Sequence, residues 1–248
     1  MKNFKSVFFL LFIIGCGSFS AVFSEAKINQ SRLSGFEDLL VQHVMKCIEN
    51  AERGISSLSQ EALAVEGMSS HKVRHLLNNL CAFPEINYLE IGVWQGSTWI
   101  ASLYNNSSTI NAAVAIDNWS EFGGPKEEFL KNCNTFLKSS SYKIIENDCF
   151  QLDLSEFTFP INLYFYDGNH TELSQEKAFT YYDPIFDDLL IAVVDDWNFA
   201  GVSEGTRRAF SSLNYEILFE VILPSFCIND KDNWWNGVYV SVIRKKIL

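Results

Sequence analysis

Two stretches of this chain put carboxylates where buried strands run out. YFYDGNH, Tyr164 to His170, ends an apolar run on Asp167. IAVVDDWNFAG, Ile191 to Gly201, ends another on Asp195 and Asp196. If the two strands lie side by side, three Asp side chains can surround one hard cation. Mg²⁺ takes oxygen ligands at ~2.1 Å and uses a few carboxylates with water and substrate oxygens. His170 adds a group that can accept a proton. The plainer readings are that Asp195-Asp196 caps the following turn and that His170 is a surface residue at a helix start.

A third stretch, YLEIGVWQGSTWI from Tyr88 to Ile100, opens as a strand, turns through Gly92 and Gly96, and resumes with apolar residues at helical spacing. It is not G-x-G-x-x-G, and no Gly-Lys-Ser/Thr follows, so neither common phosphate loop fits. Glu90 precedes Gly92 by two residues, and Asp117 follows at the end of the next apolar run. A pyrophosphate set beside two carboxylates would meet roughly 3 kcal/mol of repulsion per charge pair at ~5 Å and an effective dielectric of 20. The composition therefore favours a ligand with a nucleoside, an ammonium and a sulfonium and no phosphate, which describes S-adenosylmethionine (SAM). A tight turn that binds nothing is the competing explanation of the two glycines.

These residues must be held by the elements around them. Strands are expected at Tyr88–Val93, Ala113–Asp117, Tyr142–Glu146, Ile161–Asp167 and Leu189–Asp195. Helices are expected at Ser97–Tyr104, Lys126–Leu137, Glu172–Tyr182 and Glu204–Leu213. Strands separated by helices form a parallel sheet covered on both faces. Tyr215–Leu223 and Gly237–Ile243, with no helix between them, read as a closing antiparallel pair. Ahead of the sheet, residues 31–66 are helical in pattern, with Leu33, Phe36, Leu39, Leu40, Val44 and Ile48 on one stripe. Ser69 or Ser70 can cap a further helix through Leu80. In such a sheet ligands gather outside the carboxyl ends of the strands. That is where Asp117, Asp148, Asp167 and Asp195 fall.

Glu90-Ile91-Gly92-x-x-x-Gly96-Ser97 resembles the first motif of class I SAM-dependent methyltransferases. The resemblance implies a Rossmann-like α/β fold, a seven-stranded mostly parallel sheet with a C-terminal antiparallel hairpin and helices on both faces. It implies cofactor contacts from Glu90, Gly92, Gly96 and Ser97, ribose contact from Asp117 and adenine contact from Asp148. Trp94 and Gln95 depart from the smaller residues usual in that loop. Asp167-Gly168-Asn169-His170 with Asp195-Asp196-Trp197 resembles the macrocin-type sugar O-methyltransferases and the related catechol-type enzymes. By that resemblance Asp167, Asp195 and Asp196 would hold Mg²⁺, and Asp167 or His170 would take the proton of a hydroxyl on a small molecule or glycan. Asn169, His170 and Trp197 replace the family's usual residues, so the acceptor does not carry over.

The chain has 248 residues, 48% hydrophobic, with a formal net charge of -11, and no Lys/Arg cluster beyond Arg244-Lys245-Lys246. Without cations to neutralise phosphates, nucleic acid is not an expected partner. Lys2 and Lys5 ahead of Val7–Ile14 have the form of an export leader. Cleavage before Glu25, a lipidated Cys16 in Ile13-Ile14-Gly15-Cys16, and an uncleaved membrane tether are three outcomes that the residues leave open. The division is therefore 1–24 leader or anchor, 25–85 helical arm or lid, and 86–248 methyltransferase domain, with an exported location and room for a homo-oligomer. Six cysteines without CxxC do not make a disulfide framework. An exported chain lies away from cytoplasmic SAM. A secreted binding or effector protein that kept the fold is therefore the alternative function. A nicotinamide-dependent oxidoreductase is a third, opposed by the missing third glycine.

Overall fold

A computed structural model of the chain describes residues 5–8, 25–29, 33–138 and 140–246. Cys16 and most of the apolar leader lie outside these residues. No helix among the described residues is long and apolar enough to cross a membrane.

The parallel sheet is built from β3 (Ile86–Ile91), β4 (Ile110–Asp117), β5 (Lys143–Glu146), β6 (Ile161–Tyr166) and β7 (Phe186–Val194). β8 (Glu216–Leu223) and β9 (Val238–Arg244) close it as an antiparallel hairpin, β9 lying between β7 and β8. These seven strands lie side by side in the order β5-β4-β3-β6-β7-β9-β8, five parallel and a closing antiparallel hairpin as expected. Two further strands were not expected: β1 (Lys5–Phe8) pairs with β2 (Glu25–Ile28), and β2 pairs antiparallel with β8. The sheet is thus nine-stranded, and the start of the presumed helical arm is a strand covering the edge of β8. An open β8 edge would expose unpaired N–H and C=O groups.

Side chains alternate strictly across this sheet. Tyr88, Ala113, Ala115, Leu163, Phe165, Ile191 and Val193 face one core. Leu89, Ile91, Val114, Ile116, Tyr164, Tyr166, Ala192 and Val194 face the other. The first face is covered by α1 (Gly35–Glu52), α3 (His71–Leu80), α4 (Ser97–Leu103) and α5 (Lys126–Phe136), with a short α2 (Gln60–Leu63) beside them. The second is covered by α6 (Glu172–Thr180) packed on α7 (Ala200–Ser212).

The capping box of α1 explains its start. Ser34 N–H donates to Glu37 at 2.6 Å, and Glu37 N–H donates back to Ser34 Oγ at 3.4 Å. Its buried stripe is Leu40, Val41, Val44, Cys47 and Ala51, rotated from the expected one, so Phe36 and Leu39 are exposed. Ser70 caps α3 as expected. His75 is buried, and its Nδ1 lies 2.7 Å from Ser56 Oγ. Cys47, Cys81 and Cys133 are buried free thiols, Cys149 is partly buried and Cys227 is exposed. Trp234 and Trp235 pack inside; the Trp234 indole donates to Glu52 at 2.7 Å.

Candidate active site

The alternation of the strands decides where each acidic residue points. Glu90 and Asp117 share the face of Tyr88 and Ala115, and Asp167 and Asp195 continue the face of Phe165 and Val193. Asp167 N–H donates to Ile91 O, and Asp195 N–H to Tyr166 O, so both extend the ladder by one residue. The acidic groups therefore gather at one end and on one face of the sheet. Their fields overlap: burial first, then Asp195, Asp196, Glu90 and Asp117 push the Asp167 carboxyl well above the usual carboxylate range. Burial, then the charges of Asp196 and Glu90, do the same to Asp195, against the Asp196 backbone N–H, which lowers it.

Glu90 does not present a charge to a ligand. It is fully buried under α4, where Tyr88 OH donates to one oxygen at 2.6 Å and Thr98 Oγ1 to the other at 2.5 Å. Burial pushes its carboxyl up to about 8, against the hydrogen bonds from Thr98 and Tyr88, which lower it. The group is therefore neutral near pH 7, and the repulsion that argues against phosphates must come from its neighbours. The cause is parity: two residues from Tyr88 on a strand, Glu90 must share its face.

Asp117 organises the glycine loop. Its Oδ2 accepts the N–H groups of Val93 and Trp94, each at 2.9 Å, and its Oδ1 accepts Trp119 N–H at 2.7 Å. Gly92 has φ +84°, and a Cβ there would stand 2.0 Å from Asp167 O. The loop can pass this close to the end of β6 only as glycine. Trp94 and Trp119 also take positive φ, and the Trp119 indole donates to Trp94 O at 2.9 Å. Asp196, Phe122, Asn229 and Trp235 share that conformation, so strained non-glycine residues rim this end of the sheet.

Gly96 begins α4 against Phe129. Ser97 is buried under the N-terminal arm: a Cβ on Gly67 would meet Ser97 Oγ at 1.9 Å, and Ser69 Oγ lies 3.2 Å from it. Arg74 holds that arm in shape. Its buried guanidinium donates to the carbonyls of Leu63, Val65, Gly67 and Ser69 and to Ser69 Oγ. In the sequence, Gly67 and Arg74 signal only a helix break and a helix face. Asp148 stands at the end of β5, where its two oxygens accept Phe150 N–H at 2.9 Å and Gln151 Nε2 at 3.1 Å.

The second constellation lies at the ends of β6 and β7. His170 Nε2 is 2.7 Å from Asp196 Oδ2. Asn236, in the β8–β9 loop, donates to Asp196 Oδ1 at 2.7 Å. One ligand atom each from Asp167, His170 and Asp196 lie within 4.8 Å of one another. The His170 ring stacks on Phe199 at 5.6 Å. Asp195 is only 2% exposed, and neither of its oxygens has a well-formed hydrogen bond; the adjacent Asp196 amide alone acts on them. A buried carboxylate in that condition costs several kcal/mol unless a cation or proton answers it, on the order of magnitude usual for buried charge. A divalent ion among these groups would supply that answer, so the donor set fits a metal. Asn236 carries no motif that would have revealed its part. Two open clefts, at Cys133–Tyr142 and at Asn111–Val114 with Phe157 and Phe159, lie toward the opposite end of the sheet.

The sequence matches no family model, and no curated protein matches it. Solved structures do match the fold. TrmN from Thermus thermophilus aligns with a TM-score of 0.53 at 11% identity, over 75% of this chain and 52% of that one. An O-methyltransferase from Bacillus cereus, in complex with SAH, aligns at 0.51 and 12% identity over 84% and 91%. This is the class I methyltransferase fold. A putative RNA methyltransferase from Pyrococcus horikoshii shares it at a TM-score of 0.50 and 10% identity, covering 83% of this chain and all of its own (100%). This chain spans about half the length of TrmN, at 52%. At these identities what is common is the methyltransferase fold, and the residues that line its mouth must be read for themselves.

Proposed function

We propose that the chain is a SAM-dependent O-methyltransferase, assisted by a divalent metal and acting on a hydroxyl of a small molecule or glycan. The observation that carries this reading is the grouping of Asp167, His170 and Asp196 beside the unpartnered Asp195, on the face that Asp117 and the glycine loop share. SAM would bring an activated methyl group on a sulfonium, and an anionic mouth suits that cation. A bound metal would lower the pKa of a coordinated hydroxyl.

The chain's own groups divide the remaining work. Asp117 holds the loop with three of its roughly four acceptor sites and keeps about one, on Oδ1, for a ribose hydroxyl. Trp94 and Trp119 wall the approach. Asp167 is the better base of the two candidates: its surroundings raise its proton affinity. His170 is also raised, by its hydrogen bond to Asp196, but that contact already occupies its Nε2 at 2.7 Å. The acidic balance of the chain speaks against an RNA acceptor. Export, with or without a tether at Cys16, belongs to the same proposal, as does a homo-oligomer. Calorimetric titration with SAM, followed by transfer of labelled methyl to a panel of polyols, tests it. Lack of SAM binding at millimolar cofactor removes it.

A second reading, a binding or effector protein on the same fold, is favoured by one set of contacts. Glu90 and Ser97 are engaged inside the protein, and Asp117 already serves three loop amides. Retention of the cellular phenotype in Asp167→Ala would support it over chemistry.

A further inference from the structure

We propose that His170 is itself a metal ligand, and that the centre at this mouth is a mixed nitrogen–oxygen site selecting a first-row transition ion such as Mn²⁺, Fe²⁺, Co²⁺ or Zn²⁺ over Mg²⁺. The inference deepens the proposed function, since it concerns the same mouth, but it needs no SAM and no methyl transfer.

The geometry is the first support. The ligand atoms that fall mutually within 4.8 Å are those of Asp167, His170 and Asp196. Two donors at ~2.1 Å from one ion stand at most ~4.2 Å apart, so the widest separation needs to close by no more than about 0.6 Å. His170 Nε2 and Asp196 Oδ2, at 2.7 Å, already have the spacing of neighbouring ligands. Both partners are oriented from behind. Asn236 donates to the other Asp196 oxygen, and Phe199 stacks on the imidazole. Such outer contacts are what fix a ligand's direction.

The second support is independent of that triad. Asp195 is the next residue along the strand end, 2% exposed, with no side chain on either oxygen and only the weak approach of the Asp196 amide. The His170–Asp196 pair leaves it unanswered. A divalent ion seated on Asp196 and Asp167 would stand beside it and supply the missing positive charge. The ligand chemistry then sets the choice of ion. Imidazole suits borderline first-row ions, whereas Mg²⁺ prefers an all-oxygen octahedron that keeps several waters. Each carboxylate contributes one atom, so Asp167 keeps a second oxygen for the acceptor's proton.

The experiment is titration of the full chain with Mn²⁺ alone, followed by loss of the free-ion electron paramagnetic resonance signal, with Mg²⁺ as competitor. Pulsed measurement on the Mn²⁺-loaded protein looks for nitrogen-14 modulation. The expected result is Mn²⁺ binding roughly tenfold or more tighter than Mg²⁺, with nitrogen modulation present. His170→Ala and His170→Gln should abolish the modulation and bring the two affinities together. His170 is exposed, so these variants are expected to fold, and a cooperative melting transition checks it. Equal affinity for the two ions, absent modulation, or unchanged Mn²⁺ binding in both variants overturns the proposal. Loss of SAM binding with these metal results intact overturns the methyltransferase reading and leaves this one standing.

Discussion

Asp117→Ala is the sharpest test of how the glycine loop is held. The carboxylate accepts three backbone N–H groups, at 2.9, 2.9 and 2.7 Å, from Val93, Trp94 and Trp119. Hydrogen bonds to a charged acceptor contribute about 1.5–3 kcal/mol each when sheltered. Asp117 is half-buried, so the lower end applies and water recovers part of the loss, which leaves about 3 kcal/mol in all. That is roughly a 150-fold change in the folding equilibrium. Val93 is buried, so its N–H has the least access to replacement water. Urea unfolding at unchanged m-value measures the effect. Asp148→Ala is the control: its carboxylate serves two contacts on an open turn, and it should cost about 1 kcal/mol or less. If Asp117→Ala costs no more than the control, the carboxylate does not brace the loop and the account of this mouth is wrong.

Glu90→Gln should flatten part of the pH dependence of stability. The folded carboxyl titrates at about 8 against an ordinary value of 4.5, so its contribution is complete below about pH 4.5 and is lost as pH rises toward 8. Denaturant midpoints across that window should fall more steeply for the wild type than for the variant, by up to about 1.4 kcal/mol per pH unit; parallel curves would contradict it. Arg74→Lys keeps the charge but has three donors where the guanidinium fills five contacts, so stability should drop by about 3 kcal/mol. Limited proteolysis should then cut between Val65 and Ser69 sooner, and an unchanged cleavage pattern would show that the arm does not depend on Arg74.

The sheet was legible because its signals are local. Apolar runs such as Leu163–Tyr166 and Ile191–Val194 can only be buried strands, and the Asp that ends each marks the carboxyl edge. The same alternation, applied one step further, would have turned Glu90 under α4 rather than toward the mouth. α7 was expected from Glu204, yet it begins at Ala200. Its first turn has no capping side chain to announce it. The helical pattern of the arm was legible, but its contact with Ser97 was not. Gly67 and Ser97 are distant in the chain, and nothing in either segment states that they will touch. The proximity of Asn236 to Asp196 is of the same kind: it depends on how the β8–β9 loop folds back.

The N-terminal strand pair ties processing to surface chemistry. β1 adds to the sheet only through β2, residue Phe8 facing Glu25 and Lys5 facing Ile28. A peptidase acting just ahead of Glu25 would carry off the outer ribbon and leave its neighbour attached to β8. The matured molecule would then offer a bare row of amide and carbonyl groups to any extended segment that came by. The trimmed chain would carry a rail for strand-to-strand capture along β2.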